Sequence, residues 1–357
     1  MRVRVGAALV AATVGIGIAV GTPGVAVAAA GQRVCRVADR RMTELSGMVA
    51  TKSGYIVVND GSDDPAARQI FYLDQSCAVT RTVKYPSRPR DTEDMGLAGD
   101  GTLWVADIGD NDSNRDSIGL WRLPAGARKP QLFRLKYPDG PHDAEALLIA
   151  PNGTLIVVTK TIGSAGVYEP AAGLRANKTT ALRKAGELTL PLTNTPDPFS
   201  FAGRFVITGG AVSPDGRHAV LRTYADGFEF DVDGGDVAGA ITKGKPRQIA
   251  MPNEPQGESV AYTPDGTALV TVSEGAKPEV LRYALPARPA ATTSAPPPPS
   301  ATATSKAAAA QTQEALRERA EENRISAGAI VTGSVLLLAA VLLIGILVVR
   351  RSRHDDR

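Results

Sequence analysis

Asp107, Asp110 and Asp112 fall within six residues in the stretch WVADIGDNDSNR (104–115), interleaved with Asn111, Asn114 and Arg115. Oxygen donors at that density suit a hard cation such as Ca2+, or sugar hydroxyls. The competing reading is a solvated turn after a strand. Asp, Asn and Gly are the ordinary turn residues, and Gly109 permits a tight turn. A second acidic set has a longer period. Glu93, Glu145 and Glu258 each stand eight residues before a turn glycine (Gly101, Gly153, Gly266). Thr208 holds the same place before Gly216, and Glu44 stands ten before Gly54. A further polar set, Asp60, Asp107, Lys160, Arg222 and Glu274, ends the apolar run after each turn.

The turns that set this period are Ser53-Gly54, Asp100-Gly101, Asn152-Gly153, Asp215-Gly216 and Asp265-Gly266, with glycines 47, 52, 63 and 50 residues apart. Each lies between two apolar runs, as in LSGMVA/YIVV, MGLA/TLWVA, ALLIA/TLIVV, ITGGAVS/HAVLR and SVAYT/ALVTV, which predicts hairpins. A third run follows in each unit (QIFYLD, GLWRLP, GVYEP, GFEFDV, EVLRYAL), and a fourth in most (AVTRTVKY, QLFRLKY, ELTLPL, RQIAM). Four short strands per unit of 40–50 residues predict an all-β fold, a β-propeller. The fifth unit has only three strands, and residues 33–37 supply an orphan strand that would close the ring. Five blades are favoured over six, because the long third gap exceeds the others by too little to hold four strands. Cys35 lies in the orphan strand and Cys77 just before the outer strand of the first unit. They are the chain's two cysteines. A disulfide between them would staple the seam, at roughly 3–4 kcal/mol.

In a propeller the first strand of each blade lines the channel, so the acids would converge on one rim. That rim comprises Glu44, Asp60, Glu93, Asp107, Glu145, Lys160, Arg222, Glu258 and Glu274. Asp107, Asp110, Asp112, Glu93 and Glu145 are the candidate Ca2+ ligands, and Glu145 and Asp107 the candidate activators of water. Alternatively the glutamates pin loops to neighbouring blades through backbone N–H groups. Lys160 and Arg222 either receive an anion or offset the acids.

The ends of the chain have a different character. Residues 1–30 read as a signal peptide, with Arg2 and Arg4, an apolar middle and small residues at Ala26–Ala30. Residues 287–326 are a stalk rich in Pro, Ala, Thr and Ser, ending in a short charged helix over 311–324. Residues 327–349 are uncharged and apolar, enough to span a bilayer. Residues 350–357 carry Arg350, Arg351 and Arg353 and form a cytoplasmic tail. The expected protein is a single-pass membrane protein with residues 31–286 outside the cell. Its expected partners are the membrane and an extracellular small molecule, glycan or protein. A net charge of +3, with no basic cluster among aromatics, points away from nucleic acid.

Other chemistries find no support. The body has only His142 and His218, too few for a zinc site with two cysteines. It has no G-x-S-x-G turn and no phosphate-cradling loop. His142 reads as a loop residue beside the rim.

The segments TELSGM, NDGSDDP, DTEDMGLAGDGTLWVADIGDN, YPDGPHDAEALLI and GESVAYTPDGTALVTVSEG resemble secreted actinobacterial propeller proteins. More distantly they are similar to the esterase-like phytase domain. The resemblance spans about residues 35–286 and implies a β-propeller, with a hydrolase as one functional class. Two functions stand: a cell-surface ligand-binding module with Ca2+ at its rim, and a Ca2+-dependent hydrolase of phosphoesters or esters.

Overall fold

The computed structural model describes residues 31–285. The expected signal peptide, stalk, membrane span and tail lie outside the described residues. Among the described residues no helix is long and apolar enough to cross a membrane.

Among the described residues, twenty strands form five antiparallel meanders of four. The first unit is β2 (Leu45–Thr51), β3 (Gly54–Asn59), β4 (Gln69–Asp74) and β5 (Val79–Lys84). The second is β6 (Asp94–Leu97), β7 (Leu103–Asp107), β8 (Ile118–Leu123) and β9 (Gln131–Lys136). The third is β10 (Ala144–Ile149), β11 (Leu155–Thr159), β12 (Ala165–Pro170) and β13 (Thr179–Leu188). The fourth is β14 (Gly209–Val212), β15 (His218–Arg222), β16 (Asp226–Asp231) and β17 (Arg247–Ala250). The fifth is β18 (Gly257–Tyr262), β19 (Ala268–Ser273) and β20 (Glu279–Ala284), completed by the N-terminal β1 (Gln32–Arg36). The inner strands β2, β6, β10, β14 and β18 pack side by side in that order, and β18 returns to β2. The architecture is a closed, propeller-like ring.

Sandwiching explains the strand composition. A sheet covered on both faces needs apolar residues at every position, so β3, β11 and β19 are buried along their whole length. Each of five apolar clusters fills one gap between neighbouring units. Val58, Ile70, Val105 and Trp121 lie between the first and second, and Val220, Met251, Val260 and Tyr283 between the fourth and fifth. The turn glycines take the positive φ that such hairpins require, from 67° at Gly266 to 84° at Gly153, with Gly54 at 141°.

The seam closes as expected. β1 pairs antiparallel with β20, and Cys35 bonds Cys77 with Cα atoms 5.8 Å apart. Two features depart from the sequence reading. β13 begins at Thr179, well before ELTLPL. Its first residues run parallel to β9, joining the second and third units into one eight-stranded sheet. A helix, Val237–Lys243, lies between β16 and β17, capped by the Asp236 carboxylate on the Gly239 N–H and packed on the core between the third and fourth units.

Candidate functional site: an acidic channel mouth

The residues that point into the channel do so because the inner strands bulge at their start. Pairing slips between Leu45 and Gly47, between Ala144 and Ala146, and between Gly257 and Ser259, leaving Ser46, Glu145 and Glu258 as the extra residues. A bulge re-aims one side chain out of the alternating pattern. Glu93 and Thr208 hold the matching places in the other two units: the Glu93 N–H donates to Ala106 and the Thr208 N–H to Arg222. The ring is therefore Ser46, Glu93, Glu145, Thr208 and Glu258. Glu44 is not its fifth member; it is exposed two residues upstream. Ser46 takes that place, and its hydroxyl donates to the Glu93 carbonyl at 2.6 Å and to Glu93 Oε2 at 3.2 Å.

A second acidic layer precedes the first by two residues, which in extended chain is the same face. It includes Asp91 and Asp143, absent from the sequence-derived set although Asp91-Thr92-Glu93 and Asp143-Ala144-Glu145 carry the same spacing. Carboxylate oxygens of Asp60, Asp91 and Glu93 all lie within 4.8 Å of one another. Gly109 and Gly61 make room for them. A Cβ at Gly109 would run into Glu93 Oε1 and Asp91 Oδ2, and one at Gly61 into Asp91 Oδ1. Close approach, not turn geometry, explains Gly109, whose φ is not positive.

The electrostatics follow from this crowding. Burial, with Asp91 and Glu274 nearby, pushes the Asp60 carboxyl up to about 8. Burial first, then the charges of Glu145, Asp60, Asp91 and Glu258, pushes Glu93 well above the usual carboxylate range. Glu145 is raised by burial and by Glu258, against the opposing pull of Lys160. Glu274 is pushed up to about 7 by burial, Glu258 and Glu44. Lys160, the one cation among these side chains, pairs with Glu145 and sits 5.7 Å from the Tyr224 ring. Burial pulls its ammonium down, but Glu145, Tyr224 and Glu258 outweigh that and keep it charged. Glu145 is only 4% exposed, and its Oε2 is buried without a hydrogen-bond partner.

Asp107, Asp110 and Arg222 prove to be structural. Asp107 accepts the N–H groups of Arg90 and Asp91 and bonds Arg115 Nη2 at 2.9 Å and Trp121 Nε1 at 3.3 Å. Its oxygens are engaged within the fold, so it is neither the water activator nor a cation ligand; it positions Asp91. Asp110 accepts the N–H groups of Asn114 and Arg115, closing its own loop, while its N–H donates to Asp143. Asp112 is exposed. The DIGDNDSNR cluster is thus the turn that its composition also allowed. Arg222 is fully buried, bonding Glu254 and the carbonyls of Gly257 and Ser259. It fastens the fourth unit to the fifth and is not offered to an anion. Glu254, missed in the sequence, also accepts Thr271, Ser273 and Tyr283. His142 lies between Asp139 and the rings of Tyr137 and Tyr168, in the link before β10.

Asp94, next to Glu93, is fully buried. Its carboxylate accepts the N–H groups of Met95, Leu147 and Gly210, bonding three units together at the axis. A cavity of about 590 Å³ opens at the opposite, hairpin-turn end, lined by residues such as Met48, Ile149 and Tyr262 together with turn glycines and prolines. It holds none of the channel-mouth acids.

No family model matches the chain, and no curated protein matches it. Among solved structures, a luciferin-regenerating enzyme is 11% identical with a TM-score of 0.40, over 72% of this chain and 92% of that one. A putative gluconolactonase is 15% identical with a TM-score of 0.37, over 67% and 74%. Identities this low say nothing about chemistry, and the architecture stands on its own strand pairing.

Proposed function

We propose that this chain is a membrane-anchored, extracellular five-bladed β-propeller that binds a divalent cation, Ca2+, at its acidic channel mouth and an extracellular ligand through it. The observation that carries this reading is the clustering of Asp60, Asp91 and Glu93, with the buried, unpartnered Glu145 Oε2 belonging to a carboxylate whose charge acts on Glu93. Like charges so close in a desolvated place are unfavourable unless protons or a cation offset them. An all-oxygen donor set selects a hard ion over those preferring imidazole or thiolate. Gly61 and Gly109 leave the approach open where any side chain would close it. Asp60, Asp91 and Glu93 would hold the ion, with Glu145 as the fourth carboxylate.

A hydrolase reading uses the same residues. With a cation on the triad, Glu145 Oε2 is a free carboxylate oxygen able to take a proton from water, and Lys160 stands beside it. The more distant resemblance of the chain to the esterase-like phytase domain adds modest weight to this alternative.

Ca2+ titration of the full chain tests the site. Binding to the folded state alone raises Tm by about 5–10 °C at a hundredfold excess over Kd. A chelator reverses the rise, and Glu145→Gln weakens the affinity about tenfold. A Tm indifferent to Ca2+ would leave the acids as structural pins. Hydrolysis of phosphoester probes that is lost in Glu145→Gln while Ca2+ still binds selects the enzyme.

A further inference from the structure

The link between β13 and β14, residues 189–208, is the long connection behind the widest spacing in the repeat. It is firmly tied down. The Thr193 and Thr195 hydroxyls donate to Asp226, each at 2.6 Å. Arg204 reaches the Thr195 carbonyl and Asp197, and the Tyr224 N–H donates to the Gly203 carbonyl at 3.1 Å. This fixed backbone nevertheless holds two phenyl rings out in water: Phe199 is 41% exposed and Phe201 62%. Rings held rigidly at the surface are the apolar groups a ligand can use at least entropic cost.

Their position ties them to the mouth. The Phe199 ring centroid lies 4.3 Å from that of Tyr224, and Phe201 sits 4.9 Å from Phe205. Tyr224 in turn packs on Lys160, and its hydroxyl lies beside Glu258. One tyrosine is thus shared between the exposed phenyl surface and the acidic ring.

We infer that residues 189–208 are the specificity element of the mouth, with Phe199 and Phe201 receiving the apolar arm of a small organic oxyanion whose head group sits on the bound cation beside Lys160. The inference rests on the Ca2+ site proposed above. Charge selects the occupant: the mouth is acidic apart from Lys160, so an anion enters only with the cation. An apolar arm then adds affinity without adding charge. Two phenyl rings offer far too little area for a stable dimer.

The test uses the full chain in lipid nanodiscs, titrated with methylphosphonate and phenylphosphonate, with Ca2+ or with chelator. Phenylphosphonate should bind at least tenfold more tightly than methylphosphonate, and both should require Ca2+. The double variant Phe199→Ser, Phe201→Ser should keep the Ca2+ midpoint and the methylphosphonate affinity while losing the phenyl preference. Equal affinities in the unaltered chain, or a preference that survives in the variant, overturn the inference and leave the Ca2+ site standing. A chain that binds no Ca2+ overturns the site and this inference with it. Self-association that the variant abolishes, seen by sedimentation, would assign the rings to a second copy and overturn it as well.

Discussion

Single carboxylates in this molecule do opposite work according to how many donors surround them. Asp107 and Glu254 are saturated by hydrogen bonds, and each holds a buried arginine. Removing one leaves that guanidinium without its charge partner, so Asp107→Ala should destabilise by about 3–5 kcal/mol in denaturant unfolding. Glu93 and Glu145 face other acids instead, and Gly109 leaves room for Glu93 and Asp91 where a Cβ would collide with both. Gly109→Ala should therefore lower Ca2+ affinity by about tenfold in titration, because the methyl displaces Glu93 and Asp91 together. The pH dependence has a definite sign. Asp60 near 8 and Glu274 near 7 hold protons more tightly folded than unfolded. Their contribution is fully present below about pH 4, the unfolded value, and is lost as pH rises towards 7–8. Without Ca2+, thermal unfolding should show Tm falling by a few degrees from pH 5 to pH 8. With Ca2+ the fall should vanish, since the ion favours the charged carboxylates. A flat Tm in chelator would mean that these acids are not crowded.

At the scale of strands, the closing pair β1 and β20 depends on a covalent link as well as on its ladder. Cys35 and Cys77 are 42 residues apart, and loop-closure entropy predicts about 4 kcal/mol lost on reduction or in Cys35→Ser. Denaturant curves with and without reductant measure it; unchanged midpoints would assign the seam to hydrogen bonding and packing alone. The same strands show what a sequence discloses. The hairpins were legible because glycine turns and apolar runs recur with one period, and the closing strand because the last unit lacked a partner. The parallel pairing of β13 with β9 was not, since TTALRKAG has no clean alternation and its partner is set by the ring. The ring of acids was legible at Glu93, Glu145 and Glu258. Its blade-one member was mistaken for Glu44 because acidity was followed instead of the eight-residue spacing that Ser46 satisfies. Asp91 and Asp143 carried the period-two signal of a shared face. Asp107 and Arg222 looked like rim residues because strand position says where a chain ends, not which donors wait there.

Across the described body, the two ends of the channel are chemically unlike, and both described termini lie towards the same one. The Leu285 N–H donates to the Thr267 carbonyl in the β18–β19 turn, and Gln32 pairs with Arg282 on the same outer edge. Both ends of the described body therefore lie towards the hairpin-turn end, while the acids gather at the other. Three consequences follow for intact cells if residues 287–326 are an exposed stalk and 327–349 a span. Added protease should cut within the stalk and release a fragment covering residues 31–286. That fragment should remain one disulfide-bonded piece. Its Ca2+ midpoint should match that of the full chain within about twofold, because Asp60, Asp91, Glu93 and Glu145 all lie within the released fragment. A body protected from protease on intact cells would reverse the membrane topology. A released body whose midpoint has moved tenfold would show instead that the mouth and the tether are coupled.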